Sequence, residues 1–292
     1  MKRVVIGYIF DQAKLSKDEK DFLSVAHKQN TDLVFVNLEK KISEEILKKL
    51  ADQCDIFFNN SAEEFAIEIV KSLESLGKKV VDSSHDYYYI EDKWLFYLKC
   101  HEGGVPTPRT ILLSEHVNTA LSQLNDFGSW PIVLKRIEGT CGEYVELAKN
   151  ISDAKKIISL FWKKGSEKLP IIAQEFISSP SYRVTMFGDK IMQSVVKKSS
   201  GWKATGVYAK KIDTFRVDEK LEKILRRLKK IIPIHFYGVD LLRRGDEWLV
   251  LEVNQTPAFD FLDKERKKLI FEVVKYLKSE ALKGKKLKRG KR

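Results

Sequence analysis

An α/β fold with a small parallel sheet at its N-terminus is predicted by three features of the 292-residue sequence. Short apolar runs alternate with longer amphipathic segments through the first eighty residues, as strands and helices do in a parallel sheet covered on its faces. The segments punctuate where such elements should end, for instance at Gly77 after an apolar-periodic stretch. A strand-rich stretch with one clear hairpin occupies the second half, so the chain is too varied for a single repeat and long enough for two or three sub-domains.

Val4 to Phe10 reads as a buried strand. Lys17 to Gln29 follows as a helix, with Ser16 as N-cap and Phe22, Leu23 and Ala26 on one face. Leu33 to Leu38 is a strand, Ser43 to Asp52 a helix, Cys54 to Asn59 a strand, Ala62 to Leu76 a helix and Lys79 to Val81 a strand. A helix from Asp92 to His101 ends at Gly103-Gly104, and Val105-Pro-Thr-Pro108 is extended because each proline pushes its predecessor out of helical geometry. Next come a helix over Glu115 to Asp126, strands over Ile132 to Arg136 and Tyr144 to Leu147 around a glycine-containing loop, and a helix over Asp153 to Lys163. Strands are expected over Ile171 to Ile177, Tyr182 to Phe187 and Ile191 to Lys197, then a helix from Asp218 to Ile231. The hairpin has arms Tyr237 to Leu242 and Trp248 to Asn254, and a last helix covers Lys264 to Ala281. Expected boundaries are residues 1–91, 92–168, 169–282 and a basic tail over 283–292.

The formal charge of +12 suggests nucleic acid, but seven Lys or Arg fall in the last ten residues, and without them the balance is 46 basic against 41 acidic. The tail is either a solvated terminus or an anchor for a polyanion such as RNA or an acidic protein. No run of eighteen apolar residues exists, and Asp11 breaks the N-terminal apolar segment, so neither a membrane span nor a signal peptide is expected. Cys54, Cys100 and Cys141 are odd in number and lack CxxC spacing, which points to the cytoplasm and away from disulfides or a zinc ribbon.

The hairpin carries the most chemistry. Glu252 and Asn254 lie two apart on one strand and share a face, and a hairpin centred near Asp246 sets Asp240 opposite Glu252. Two carboxylates and an amide oxygen suit magnesium held partly by phosphates; the other reading is a half-exposed hairpin whose acids face water. Lys135 ends the apolar strand Trp130-Pro-Ile-Val-Leu-Lys and offers a point charge for phosphate. Gly139 and Gly142 in Glu138-Gly-Thr-Cys-Gly142 permit turns that bring backbone N–H groups to phosphate oxygens, although two glycines also suit any hairpin loop. Neither GxxxxGK[ST] nor GxGxxG is present. Gln174-Glu-Phe-Ile177 ends a strand whose backbone is placed to pair with an adenine edge, or simply enters a loop from the core.

Taken in order, Asp92-Lys93-Trp94, Val105-Pro-Thr-Pro108, Val133-Leu-Lys135, Glu138-Gly-Thr-x-Gly142, Gln174-Glu-Phe-Ile177, Tyr182-Arg-Val, Gly238-Val-Asp-Leu-Leu and Leu251-Glu-Val-Asn254 resemble the ATP-grasp superfamily. The resemblance is strongest to its RimK-like branch, the ribosomal protein S6 glutamate ligases, and runs from about Lys79 to Phe261. It implies two ATP-grasp sub-domains with mixed or antiparallel sheets sandwiching ATP, and a carboxylate–amine ligase that works through an acyl phosphate with magnesium or manganese. By position it places Lys93 and Lys135 on ATP, Glu175 and Phe176 at the adenine hinge, and Arg183 and Lys197 near the transferred phosphate. Lys203 falls on the substrate side, and Asp240, Glu252 and Asn254 hold the metal. It implies an amino acid or an acidic carrier polypeptide as partner, is compatible with a homo-oligomer, and involves no membrane.

Three positions depart from the family pattern: Tyr144 replaces a third loop glycine, Ser181 an acidic residue that meets the ribose, and Thr205 a substrate-side asparagine. The opening Arg3-Val-Val-Ile-Gly-Tyr and Phe35-Val-Asn-Leu also resemble ATP-grasp inositol phosphate kinases, with Lys14, Lys17, His27, Lys197, Lys198 and Lys203 available for a polyphosphate. A non-catalytic RNA-binding protein is the third reading, and it has no use for the Asp240, Glu252 and Asn254 set.

Overall fold

A computed structural model describes residues 3–139, 142–163, 168–198, 201–203, 211–255 and 263–289, the last segment with side chains over 265–284. Cys141 and Thr205 lie outside the described residues, as do the last three residues of the tail. The α/β expectation holds.

The first sheet is parallel. Its strands β1 (Val4–Phe10), β2 (Thr31–Asn37), β3 (Ile56–Asn59) and β4 (Val80–Val81) lie in the order β2-β1-β3-β4. The intervening helices are α1 (Lys17–Lys28), α2 (Glu44–Gln53) and α3 (Glu64–Ser75). Ser16 caps α1 as expected, and Glu19 completes a capping box by accepting from the Ser16 N–H at 2.7 Å. Gly77 follows α3 at φ 74°, a left-handed conformation that costs glycine little.

A helix absent from the sequence reading, α4 (Ser84–Glu91), precedes α5 (Lys93–Glu102). Its mixed aromatic and polar composition gives no clear apolar stripe. The local signal was Ser83 with Asp86 three residues on, which form a capping box here.

The second sheet is antiparallel, β5-β8-β6-β7, from β5 (Thr110–Leu112), β6 (Ile132–Arg136), β7 (Val145–Ala148) and β8 (Ile171–Glu175). Helices α6 (Val117–Phe127) and α7 (Ile151–Lys163) cover it, burying Leu124, Phe127, Ile158 and Phe161 against Ile132 and Leu134. The third sheet, β11-β10-β9-β12-β13, is antiparallel as well: β9 (Ser181–Phe187), β10 (Lys190–Lys198), β11 (Lys211–Thr214), β12 (Phe236–Arg244) and β13 (Glu247–Gln255). Strands β5 and β11 are only three and four residues long, too short to leave a periodic signal in the sequence.

One face of the third sheet is apolar. Val184, Tyr237, Val239, Leu241 and Val253 pack on α8 (Glu219–Ile231) and on Phe96 and Cys100 of α5. The sequence boundaries group α5 with the second sheet, whereas its buried face packs in the core of the third.

The last helix, α9 (Asp263–Arg289), returns to the first sheet. Its Leu269, Ile270, Val273, Val274 and Leu277 share a core with Val4, Ile6 and Tyr8, so an element sequentially attached to the third sheet packs against the first. Arg266 fixes the docking through Asp21 at 2.8 Å. The helix also continues past Ala281 through the backbone of residues 283–289, which the sequence reading treats as tail. Lysine, arginine and leucine are good helix formers, and the single Gly284 costs only about 1 kcal/mol.

Candidate active site

The other face of the third sheet is polar, and strand pairing arranges it in rows. Arg183 on β9 pairs with Asp240 on β12, which pairs with Glu252 on β13. Side chains of directly paired residues point to the same face, so the three project together. The Asp240–Glu252 pairing has an unforeseen cause. At the turn Arg244 pairs with Glu247, and continuing that register would oppose Asp240 to Leu251. An irregularity between Asp240 and Leu241 takes up the extra residue and restores Glu252 as the partner.

Asp240 is the hub. Arg183 donates to both of its oxygens, Nε to Oδ1 at 2.7 Å and a terminal nitrogen to Oδ2 at 2.6 Å. Asn254 Nδ2 donates to Oδ2 at 2.9 Å, and Lys197 Nζ lies 3.6 Å from Oδ1. Burial alone would raise the Asp240 carboxyl, but Arg183 and Lys197 outweigh it and hold the group below its ordinary value. Lys197 is 1% exposed, and burial lowers its pKa despite Asp240.

Two more lysines face this row from the opposite side. Lys135, on β6, donates to Gln174 Oε1 at 2.8 Å, and Gln174 Nε2 donates in turn to Thr110 Oγ1 at 3.0 Å. Burial pushes Lys135 down to about 8, against the pull of Glu252, and the charge of Lys93 adds to the drop. Lys93 opens α5 just after the N-cap Asp92 and donates to the Gly139 carbonyl at 2.9 Å, tying the helix start to the glycine loop. Its pKa is lowered by burial, partly offset by Glu252. Lys93, Lys135, Gln174, Leu251 and Glu252 line a cleft of only about 10 Å³ between the sheets. That volume barely admits one water.

The loop keeps its glycine geometry with one substitution. Gly139 and Gly142 have φ of 129° and 75°, and Tyr144 has φ 50°. Tyr144 therefore occupies a left-handed position natural to glycine, at a cost of about 1–2 kcal/mol. Its ring offsets this by lying 3.6 Å under the Arg136 guanidinium and edge-on to Phe161 at 5.8 Å.

The remaining expected residues sit at the margin. The Glu175 carboxylate turns away from the lysines and accepts from Arg109 N at 2.8 Å and from Arg244 at 3.0 Å. It lines an outer pocket of about 430 Å³ with Tyr97, Thr107, Arg109 and Arg244. Any hinge role thus falls to its backbone. Phe176 meets Trp202 edge-on at 6.5 Å, and Lys203 reaches Glu146 at 3.4 Å. Sequence reasoning gave no role to Gln174, which holds Lys135, or to Arg109 and Arg244, which hold Glu175; only the position of Gln174 inside a recognised motif hinted at one.

Among the described residues, Lys93, Lys135, Arg183 and Lys197 gather around Asp240 and Glu252, while Asp92 and Glu138 also act on Lys93. Four cations gathered between low-dielectric walls suit a polyanion. The oxygen donors of Glu252, Asp240 and Asn254 are hard ligands and fit magnesium shared with phosphate oxygens. Among the described residues no three His, Cys, Asp or Glu side chains converge into a self-sufficient metal site.

A family model for the RimK-like ATP-grasp domain matches residues 90–276. The chain belongs to this family. Among curated relatives, the tetrahydromethanopterin:α-L-glutamate ligase of Methanococcus maripaludis is 29% identical over 175 residues, a match covering 58% of this chain and 58% of that protein. The α-aminoadipate–LysW ligase LysX of Sulfurisphaera tokodaii is 22% identical over 269 residues, covering 88% of this chain and 91% of that one. A RimK domain ATP-grasp protein from Sphaerobacter thermophilus shares the fold with a TM-score of 0.76 at 16% identity, over 94% of this chain and 99% of that one. These relatives favour the ligase expectation over the kinase and RNA-binding readings. Among the described residues, no helix of this RimK-like protein is long and apolar enough to cross a membrane.

Proposed function

We propose that this protein is an ATP-dependent carboxylate–amine ligase that forms an amide or peptide bond through an acyl phosphate. The observation that carries the reading is the cleft that sets Lys93 and Lys135 of one side against the Arg183–Asp240–Glu252 row of the other.

Lys93 and Lys135 hold the nucleotide phosphates, and the backbone of Glu175 and Phe176 receives the adenine. Gly139 and Gly142 let the loop close over the phosphates. A substrate carboxylate attacks the γ-phosphorus and ADP departs. Arg183 and Lys197 stabilise the negative charge on the transferred group, from positions already fixed by Asp240, so little reorganisation accompanies the reaction. An amine then attacks the acyl carbon, phosphate leaves, and the amine proton passes to the departing phosphate. Glu252, Asp240 and Asn254 would hold magnesium, which would supply further charge neutralisation.

Relatives that act on glutamate or on aminoadipate and LysW support an amino acid or a carrier polypeptide as the partner. Lys203 is assigned to the substrate side of the cleft. The test is an ATP-turnover screen of amino acids against acidic acceptors, with product masses recorded. Amide formation with release of ADP and phosphate is expected. Phosphate retained on a hydroxyl, or no turnover with any pair, overturns the ligase reading.

A further inference from the structure

Next to the Arg183–Asp240–Glu252 row lies a second polar row, of which the reaction as described uses Asn254 but neither Thr185 nor Gln193. Gln193 on β10 pairs with Thr185 on β9, Thr185 with Gly238 on β12, and Gly238 with Asn254 on β13. Thr185 is two residues from Arg183, Gly238 two from Asp240 and Asn254 two from Glu252. The second row therefore shares the face of the first and lies about 7 Å along the strands.

Thr185 and Gln193 are 1% and 5% exposed. Thr185 Oγ1 and Gln193 Oε1 are fully buried and have no hydrogen-bond partner among the described residues. Buried polar atoms are nearly always paired, because leaving one unpaired forfeits its hydration for nothing. Other orphaned side-chain atoms exist in the protein, but these two belong to directly paired residues on the face that carries the charged site. Strand neighbours of this kind have Cβ atoms about 5 Å apart, a span that one small polar group bridges. Beyond them Phe187 turns into the core under α9, so the row ends at an apolar wall.

We infer that Thr185 and Gln193 form the subsite for the amine of the incoming amino-acid co-substrate. An amide oxygen and a hydroxyl accept hydrogen bonds from N–H groups. Neither carries charge, the adjacent row contains the Arg183 cation, and Lys197 lies one step beyond it, opposite Ser181 on β9. Those cations disfavour an ammonium and favour the neutral amine, the form with a lone pair to attack. With its N–H groups held by Thr185 and Gln193, the amine directs that lone pair toward the row where the acyl phosphate forms. Gly238 places no side chain between Thr185 and Asn254 to obstruct it. The inference rests on the ligase reading and adds to it the location of the nucleophile.

The test uses the full chain and thermal melting with each of the twenty L-amino acids, with and without magnesium and the non-hydrolysable nucleotide AMPPNP. At least one amino acid should raise the wild-type Tm, and its N-acetyl derivative should not. Thr185→Val and Gln193→Met should weaken that amino acid at least tenfold and keep the AMPPNP shift. Their ligand-free Tm should hold or rise, because an unpaired buried oxygen has been removed. Thr185→Ser, which keeps the hydroxyl, should retain binding. The subsite is overturned if no amino acid shifts the wild type, if the Val and Met variants respond as the wild type does, or if the N-acetyl derivative binds equally well. A missing AMPPNP shift strikes the ligase reading instead, and the nucleotide-free arm still judges the subsite.

Discussion

Replacing Lys135 with methionine should make the protein more stable and worse at binding nucleotide. Lys135 is buried, and its fall from 10.5 to about 8 corresponds to about 3 kcal/mol against the charged form. Methionine has similar reach and removes that penalty. It also strands Gln174 Oε1, the present acceptor at 2.8 Å, at a cost of about 1–3 kcal/mol. The net expectation at pH 7 is a gain of about 0–2 kcal/mol. The pH dependence separates the two contributions. Because the folded pKa is the lower one, the unfolded chain binds the extra proton between about pH 8 and 10.5, so wild-type stability from this group rises across that window. The advantage of Lys135→Met is therefore full below pH 8 and fades as pH rises. Binding moves the other way: losing a charged hydrogen bond to phosphate, about 1.5–3 kcal/mol, weakens AMPPNP by roughly 10- to 150-fold. Urea denaturation at pH 7 and 9.5, paired with calorimetric titration of magnesium–AMPPNP, measures both. A variant destabilised equally at both pH values, or one with unchanged nucleotide affinity, would refute the argument that Lys135 is a strained cation kept for phosphate.

Glu252→Gln should abolish ATP turnover at low magnesium with a near-native melt, whereas Asp240→Asn should also lose about 3–5 kcal/mol of stability because the buried Lys197 and the partly buried Arg183 are left facing a neutral partner; full turnover in both at low magnesium would refute the metal assignment. Tyr144→Gly relieves the left-handed backbone but loses the stacking on Arg136 and Phe161, so the expected net loss is about 1–3 kcal/mol by thermal melting, and a stabilised variant would show that the ring packing contributes little. Deleting residues 283–292 should leave turnover of small substrates nearly unchanged. If the tail anchors a polyanion, the same deletion weakens binding to RNA or an acidic protein, by an amount that shrinks as salt rises; collapse of small-substrate turnover would contradict this.

Much of the fold was legible because it rests on short-range chemistry. The first sheet is written in apolar runs separated by capped helices, and Ser16, Glu19 and Gly77 behave as their local sequence requires. The hairpin was legible too, but its register came out correct for an incomplete reason: the symmetric count around Asp246 omitted the irregularity beside Asp240 that makes the count work. Strands β5 and β11 and helix α4 left too little periodicity to be seen.

The sequence by itself determined the chemical inventory: lysines at strand and helix ends, hard oxygen donors on a hairpin, glycines in one loop. Only the tertiary structure decided how these are coupled. Arg183 and Asp240 are 57 residues apart, and nothing local makes them partners; the strand order that sets β9 beside β12 does. The same order turns Thr185 and Gln193 from two unremarkable strand residues into adjacent buried acceptors. Helix α9 packs against the first sheet because its apolar stripe finds an uncovered face there, a choice made by shape and by Arg266 with Asp21. Periodicity fixes which face of an element is apolar, but the face it meets depends on contacts hundreds of residues away, and these exist only once the chain has folded.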